Sequence, residues 1–238
     1  MPENAEQRQL TRYLIQLPLL LKPRGPAPGR TVVGWTLNLS EAGTCVELAE
    51  ELLPPMPLQV RLQTIRGPIE VEGQAIWIED PVPGGGIPHG VTFTRIPPDQ
   101  LQALRDLLRG KGDQRQAIRL PVELALTCQA KGPETPPLTG RTGDVSRGGL
   151  LLCLPQGVSP GTELALTLHL PRGPLTVEGT IAWVEPPERR TPGGSIRHGL
   201  RFSGLSWSTS LSLGLFLLFA AEASNEIIRE EQGQPRGG

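Results

Sequence analysis

The sequence repeats itself. Arg8 and Arg12 in RQLTR return as Arg115 and Arg119 in RQAIR, and Asn38, Ser40 and Gly43 in NLSEAG return as Asp144, Ser146 and Gly149 in DVSRGG. Trp77 in VEGQAIW returns as Trp183 in VEGTIAW, and the pair His89-Gly90 returns as His198-Gly199. The offset is 106 or 107 residues at the first three landmarks and 109 at the last, so three residues are inserted in the Pro/Gly-rich loop just before the final pair. Four landmarks in one order exclude coincidence, and self-similarity at a fixed period means duplicated architecture. The 238 residues are therefore expected to form two domains, 1–111 and 112–238, each long enough for one hydrophobic core.

Within each copy the apolar pattern has a period of two. Leu58, Val60 and Leu62 alternate with Gln59, Arg61 and Gln63, and Leu164, Leu166, Leu168 and Leu170 alternate as cleanly in the second copy; this marks strands with one buried face. Similar reasoning predicts strands over 12–22, 31–39, 44–48, 69–78 and 90–94, and over 120–130, 139–145, 149–154, 175–185 and 200–202. Gly73 inside its strand predicts a bulge or bend. Six short strands per copy, broken by Gly and Pro, fit a closed antiparallel barrel with no free edge. Pro97-Pro98 opens a helix through Arg109 with Leu101, Leu104, Leu107 and Leu108 on one stripe, and 208–229 reads as the terminal helix. In that last helix LSLGLFLLFAAEA is apolar almost all round. It predicts packing across its own barrel and partly against the first domain, or a homodimer or partner surface.

Composition narrows the function classes. A formal net charge of −1 gives no positive field for a long polyanion, so an anion has to be bound locally. Four Phe, four Trp and one Tyr are too few for an aromatic nucleic-acid platform over two domains. Cys45, Cys128 and Cys153 form no CxxC or Cys/His cluster and read as buried small apolar residues of a cytoplasmic protein. The apolar run 13–21 lacks a small-residue cleavage site and has a counterpart at 120–127, which argues against a leader peptide. The run 211–221 is too short for a membrane span. No GxSxG, HExxH or phosphate-binding Gly-rich loop occurs, and Ser40 and Ser146 have no sequence-evident base, so catalysis is not expected.

RxxxR alone is a weak signal, since Arg105/Arg109 and Arg197/Arg201 share it, and [D/N]xSxxG alone is an ordinary Asx-type turn. Their ordered combination, twice, resembles the PilZ domain, a small bacterial β-barrel that binds cyclic di-GMP. The resemblance covers nearly the whole chain and implies two tandem PilZ-type barrels. It also implies that each arginine pair lies in a mobile segment that closes over the ligand. The ligand residues it implies are Arg8, Arg12, Asn38, Ser40 and Gly43 in the first copy and Arg115, Arg119, Asp144, Ser146 and Gly149 in the second. Arginine forks suit both the phosphodiesters and the guanine O6/N7 edge, a strand-end Asp or Asn accepts from guanine N–H groups, and the glycines permit positive φ or close backbone approach. Gln7 and Gln114 precede the first arginines, where an extra arginine in the family goes with an intercalated ligand dimer. His89 and His198 read as turn or packing residues, and Trp77 and Trp183 as core or rim aromatics. The expected activity is a non-enzymatic receptor with no cofactor or metal, acting on a protein partner in motility or exopolysaccharide control. The rival is a nucleotide-independent module docking a pilus or secretion component.

Overall fold

The structure, a computed structural model, describes residues 11–25, 29–110, 118–131 and 136–231, with side chains of the terminal helix described to Ala220. The chain divides into two compact units, Met1–Ile118 and Arg119–Gly238. The first contains β1 (Pro18–Pro23), β2 (Val32–Ser40), β3 (Gly43–Leu48), β4 (Met56–Thr64), β5 (Gly67–Ile78), β6 (Ile87–Arg95) and α1 (Pro98–Arg109). The second contains β7 (Ala125–Ala130), β8 (Leu138–Ser146), β9 (Gly149–Leu154), β10 (Glu163–Leu170), β11 (Gly173–Val184), β12 (Ile196–Phe202) and α2 (Trp207–Glu231). Each set of six strands closes into an antiparallel barrel, in the order β1-β2-β3-β6-β5-β4 and β7-β8-β9-β12-β11-β10. Closure pairs every strand on both sides, so neither barrel presents an unpaired edge.

The period-two pattern decides which residues point inward. Leu58, Val60 and Leu62 are fully buried in the first barrel and Leu164, Leu166 and Leu168 in the second, each with less than 2 % of its surface exposed. Burying such a side chain contributes about 1.5–3 kcal/mol, so a one-residue slip of either strand is prohibitive. The register shifts at Glu72/Gly73, which is the bulge expected at that glycine. Pro98 starts α1, and Leu104 and Leu108 bury its inner stripe against the barrel. The backbone N–H of Glu70 on β5 donates to Gln100 of the helix at 2.9 Å. In α2, Leu213, Leu217 and Leu218 are buried on one side, Leu215 and Phe216 are half-buried and Phe219 is 43 % exposed.

The strands expected from Arg12 and Leu120 begin later, at Pro18 and Ala125. Residues ahead of them make isolated bridges, among them Tyr13–Leu39 and Leu120–Val145, and no continuous ladder. A threonine hydroxyl replaces the ladder there. Thr36 Oγ1 accepts the Leu17 N–H at 2.8 Å and donates to the Ile15 carbonyl; Thr142 Oγ1 accepts the Leu124 N–H at 2.9 Å and donates to Val122. Those buried backbone groups are thereby satisfied without a strand partner, and Ile15 and Leu17 remain fully buried.

Candidate functional site

The [D/N]xSxxG motifs form the β2–β3 and β8–β9 turns. Ser40 donates its hydroxyl proton to the Gly43 carbonyl at 3.0 Å, and Ser146 does the same to Gly149 at 3.0 Å. Both serines are buried, so in this structure their hydroxyls close the turn. Gly43 and Gly149 are required by close approach, since neither has positive φ. A Cβ on Gly43 would lie 2.3 Å from the Val91 carbonyl oxygen, and one on Gly149 2.1 Å from that of Leu200.

The register shifts between Thr36 and Asn38 and between Thr142 and Asp144. After each bulge the acidic or amide residue heads a row of cross-strand neighbours on four strands. In the first barrel the row is Asn38, Cys45, Gly90 and Trp77; in the second it is Asp144, Leu151, Gly199 and Trp183. The indole lies directly over the glycine, where an added Cβ would meet Trp77 Nε1 at 2.0 Å or Trp183 Nε1 at 1.9 Å. A strand glycine covered by a cross-strand aromatic ring is a known stabilising device. Trp183 is 45 % exposed and Trp77 half-buried, so both are rim residues.

Arg119 donates to the Asp144 carboxylate at 2.7 Å. In the first barrel Asn38 Oδ1 accepts the Cys45 N–H at 3.2 Å, while Arg12 is exposed. Burial and then Glu79 push the Cys45 thiol above its usual range, and the Arg12 guanidinium partly offsets them, so Arg12 acts electrostatically on the same row. Arg8 and Arg115 lie outside the described residues, as do Gln7, Gln114 and most of the segment joining the copies. Only Cys128 of the three thiols is buried; Cys45 and Cys153 are half-exposed, because they sit on the barrel's outer face. This corrects the expectation that all three are buried.

His89 and His198 are fully buried and tie loops to β6 and β12. Their Nε2 atoms accept the Leu52 N–H at 3.0 Å and the Val158 N–H at 2.9 Å. Their Nδ1 atoms sit 2.9 and 3.0 Å from the Ile87 and Ile196 carbonyls, which fixes the neutral Nδ1–H tautomer. Burial lowers both pKa values.

Two features were missed in the sequence. Thr36 and Thr142 recur at the same offset of 106 residues as the other landmarks, a signal that was available. The fourth motif position also holds the following helix: Glu41 pairs with Arg105 of α1 at 2.9 Å, and the Arg147 guanidinium lies 5.8 Å from the ring centre of Trp207 at the start of α2. Opposite chemistries serve one purpose, so no residue identity recurs there.

The profile of the PilZ domain matches residues 6–110 and again 113–216. The chain belongs to the PilZ domain family. Solved structures with a similar fold include the Bacillus subtilis inhibitor of motility MotI/DgrA, at 14 % identity over 89 % of this chain and 97 % of that one, with a TM-score of 0.37. Escherichia coli YcgR in complex with c-di-GMP is 13 % identical over 90 % and 88 %, with a TM-score of 0.42. Borreliella burgdorferi PlzA in complex with c-di-GMP is 13 % identical over 85 % and 88 %, with a TM-score of 0.35. A search of curated proteins found no match. The expected architecture, two tandem six-stranded antiparallel PilZ barrels each followed by a helix, is the observed one. No helix among the described residues is long and apolar enough to cross a membrane.

Proposed function

We propose that this tandem PilZ protein is a non-enzymatic receptor for cyclic di-GMP, with one site on each barrel and domains bounded at 1–111 and 112–238. The observation that carries the reading is the outward row from Asn38 or Asp144 to a tryptophan, present in both barrels and met in the second by Arg119. The row offers an acceptor for guanine N1–H and N2–H₂ and, beyond the Cys45 or Leu151 side chain, an indole that covers its glycine and on which a purine can stack. Arg8 and Arg12, or Arg115 and Arg119, supply the forks for phosphate and for the guanine O6/N7 edge. Ser40, Gly43, Ser146 and Gly149 hold the turn that orients the acceptor. No metal or cofactor takes part in this reading, and the protein acts in the cytoplasm.

Output passes through a protein partner in motility or exopolysaccharide control. The motif turns are tied to the helices by Glu41–Arg105 and Arg147–Trp207, which supports a route from an occupied turn to a helix surface. A second reading, docking or homodimerisation without nucleotide, is favoured by α2. There Leu215, Phe216 and the exposed Phe219 border an apolar cavity of about 620 Å³, more than a monomer's ordinary scatter of surface apolar residues.

Isothermal titration calorimetry with cyclic di-GMP separates the two. Binding by the intact chain, reduced in part by Arg8→Ala/Arg12→Ala and in part by Arg115→Ala/Arg119→Ala, is the expected result. Absence of binding by calorimetry and by equilibrium dialysis removes the receptor reading and leaves the docking one.

A further inference from the structure

The two barrels differ beside the motif row, on the outer face of β2–β3 and β8–β9. In the first barrel Trp35 and Glu47 are cross-strand partners. Trp35 is 1 % exposed although it stands apart from the barrel's core cluster, and Glu47 is 7 % exposed. The Glu47 carboxylate accepts the Gly86 N–H at 2.8 Å, so the β5–β6 loop is fastened to the carboxylate that pairs across the strands with the indole.

The second barrel keeps the place and changes its contents. Arg141 and Cys153 are the cross-strand partners there, Ser195 replaces Gly86, and the three-residue insertion brings in Arg189 and Arg190. The Arg141 side chain is 71 % exposed and pairs with Glu123, itself 64 % exposed. A groove of about 1020 Å³ runs between β8, Cys153 and the β11–β12 loop, and Glu123, Arg141, Thr142, Arg190 and Ser195 line it. Arg190 donates its Nε–H to the Glu185 carbonyl at 2.9 Å, and no carboxylate among the described residues forms an ion pair with it. The volume is at the upper end of small-molecule sites, and the groove lies open along the barrel surface.

We propose that this groove docks an acidic peptide segment of a partner protein that presents an aromatic side chain next to carboxylates. The first barrel is the template: it fills the equivalent place with its own indole and carboxylate. The second barrel has no indole there, its lining carboxylate, Glu123, is exposed and comes from the segment ahead of β7, and Arg190 has no carboxylate partner among the described residues; arginines pair bidentately with carboxylates and are enriched with aromatic rings at interface centres. A peptide, not a free aromatic acid, matches a groove that holds a run of side chains. The proposal does not depend on nucleotide binding.

The test is amide-resolved NMR titration of the full chain with a blocked pentapeptide that carries tryptophan flanked by glutamates. Expected are shifts at residues 139–143 and 191–196 with none at 34–36 and 85–87. Replacing the peptide's tryptophan by alanine or its glutamates by lysine should weaken binding at least tenfold. Arg141→Trp/Cys153→Glu, which imports the first barrel's own filling, should abolish the shifts. Should that variant misfold, Arg190→Glu decides alone, with a loss of at least fivefold expected. Shifts absent from the groove, or unchanged affinity in Arg190→Glu, overturn the proposal. So does indole-3-propionate binding as tightly as the peptide, since the occupant is then a small aromatic acid. Displacement of the peptide by cyclic di-GMP also overturns it, by assigning the peptide to the nucleotide face.

Discussion

The Arg119 guanidinium and the Asp144 carboxylate are joined across 2.7 Å, so the second arginine of the motif already touches the acceptor that the proposed guanine would use. The pair is about one-third and one-quarter exposed, and a pair in that setting contributes only about 0–1 kcal/mol to folding. A bidentate guanine contact is worth about 1–3 kcal/mol. Arg119→Ala should therefore weaken cyclic di-GMP at the second site roughly tenfold to a hundredfold while thermal stability barely moves. Calorimetry and a melting curve on one preparation check both halves, and a large loss of Tm with unchanged affinity would reverse the assignment.

Gly43→Ala and Gly149→Ala should damage the fold before they damage binding. The added methyl group meets a carbonyl oxygen of the neighbouring strand at 2.3 or 2.1 Å, and backbone in a closed barrel cannot move aside as a flexible side chain can. Overpacking of this kind costs about 1–3 kcal/mol, and more where backbone must shift. Chemical denaturation should give a lower midpoint for both variants in the absence of any nucleotide. A wild-type midpoint with lost binding would instead show that the glycines face the ligand directly.

Acid should loosen both barrels through His89 and His198. Burial, the largest cause, depresses both folded-state pKa values below the ordinary 6.5, against the opposing backbone hydrogen bonds to Ile87 and Ile196. The unfolded chain then binds more protons than the folded one, so the stabilisation is complete above about pH 6.5 and declines as pH falls through the folded values. Protonation also removes the acceptor that holds the Leu52 and Val158 N–H groups. The Tm should fall between pH 7.5 and pH 5, and His89→Gln/His198→Gln should start lower and fall less steeply. Equal slopes for the two proteins would clear the histidines of the effect.

The barrels were legible because their information is local and duplicated. Leu58–Val60–Leu62 and Leu164–Leu166–Leu168 carry the strand period in neighbouring residues, and the repeat doubles each signal. The segments ahead of Pro18 and Ala125 carry the apolar runs of a strand, and Ile15 and Leu17 are as buried as strand residues; what ends the strand is a hydroxyl about 20 residues away, on Thr36 or Thr142. The motif residues were readable as types, yet the row from Asn38 to Trp77 depends on cross-strand register and on bulges at Thr36/Asn38 and Ala75/Trp77. Periodicity alone does not locate those bulges. Arg147 against Trp207 was illegible for a similar reason, since its counterpart Glu41–Arg105 uses different chemistry at the same place.

Under the proposed function that row makes the tryptophans reporters of binding. Trp183 has nearly half its surface exposed, three cross-strand steps from Asp144, about 14 Å at the usual strand spacing, so one base of the dinucleotide can stack on the indole while the other meets the carboxylate. Base–aromatic stacking is worth about 1–3 kcal/mol by alanine substitution. Trp183→Ala should then weaken the second site roughly tenfold to a hundredfold, and Trp77→Ala, whose indole is more covered, should cost the first site less. The glycine beneath each indole argues for a stability penalty too, because removing the ring uncovers Gly199 or Gly90. Trp183→Phe separates the two effects: a ring that still covers the glycine should restore Tm and recover part of the affinity. Quenching of tryptophan emission by cyclic di-GMP, reduced in Trp183→Phe while calorimetric binding persists at both sites, identifies Trp183 as the stacked residue of the second. Quenching undiminished in the double variant Trp77→Phe/Trp183→Phe would place the purine away from the row and break the geometry proposed for the site.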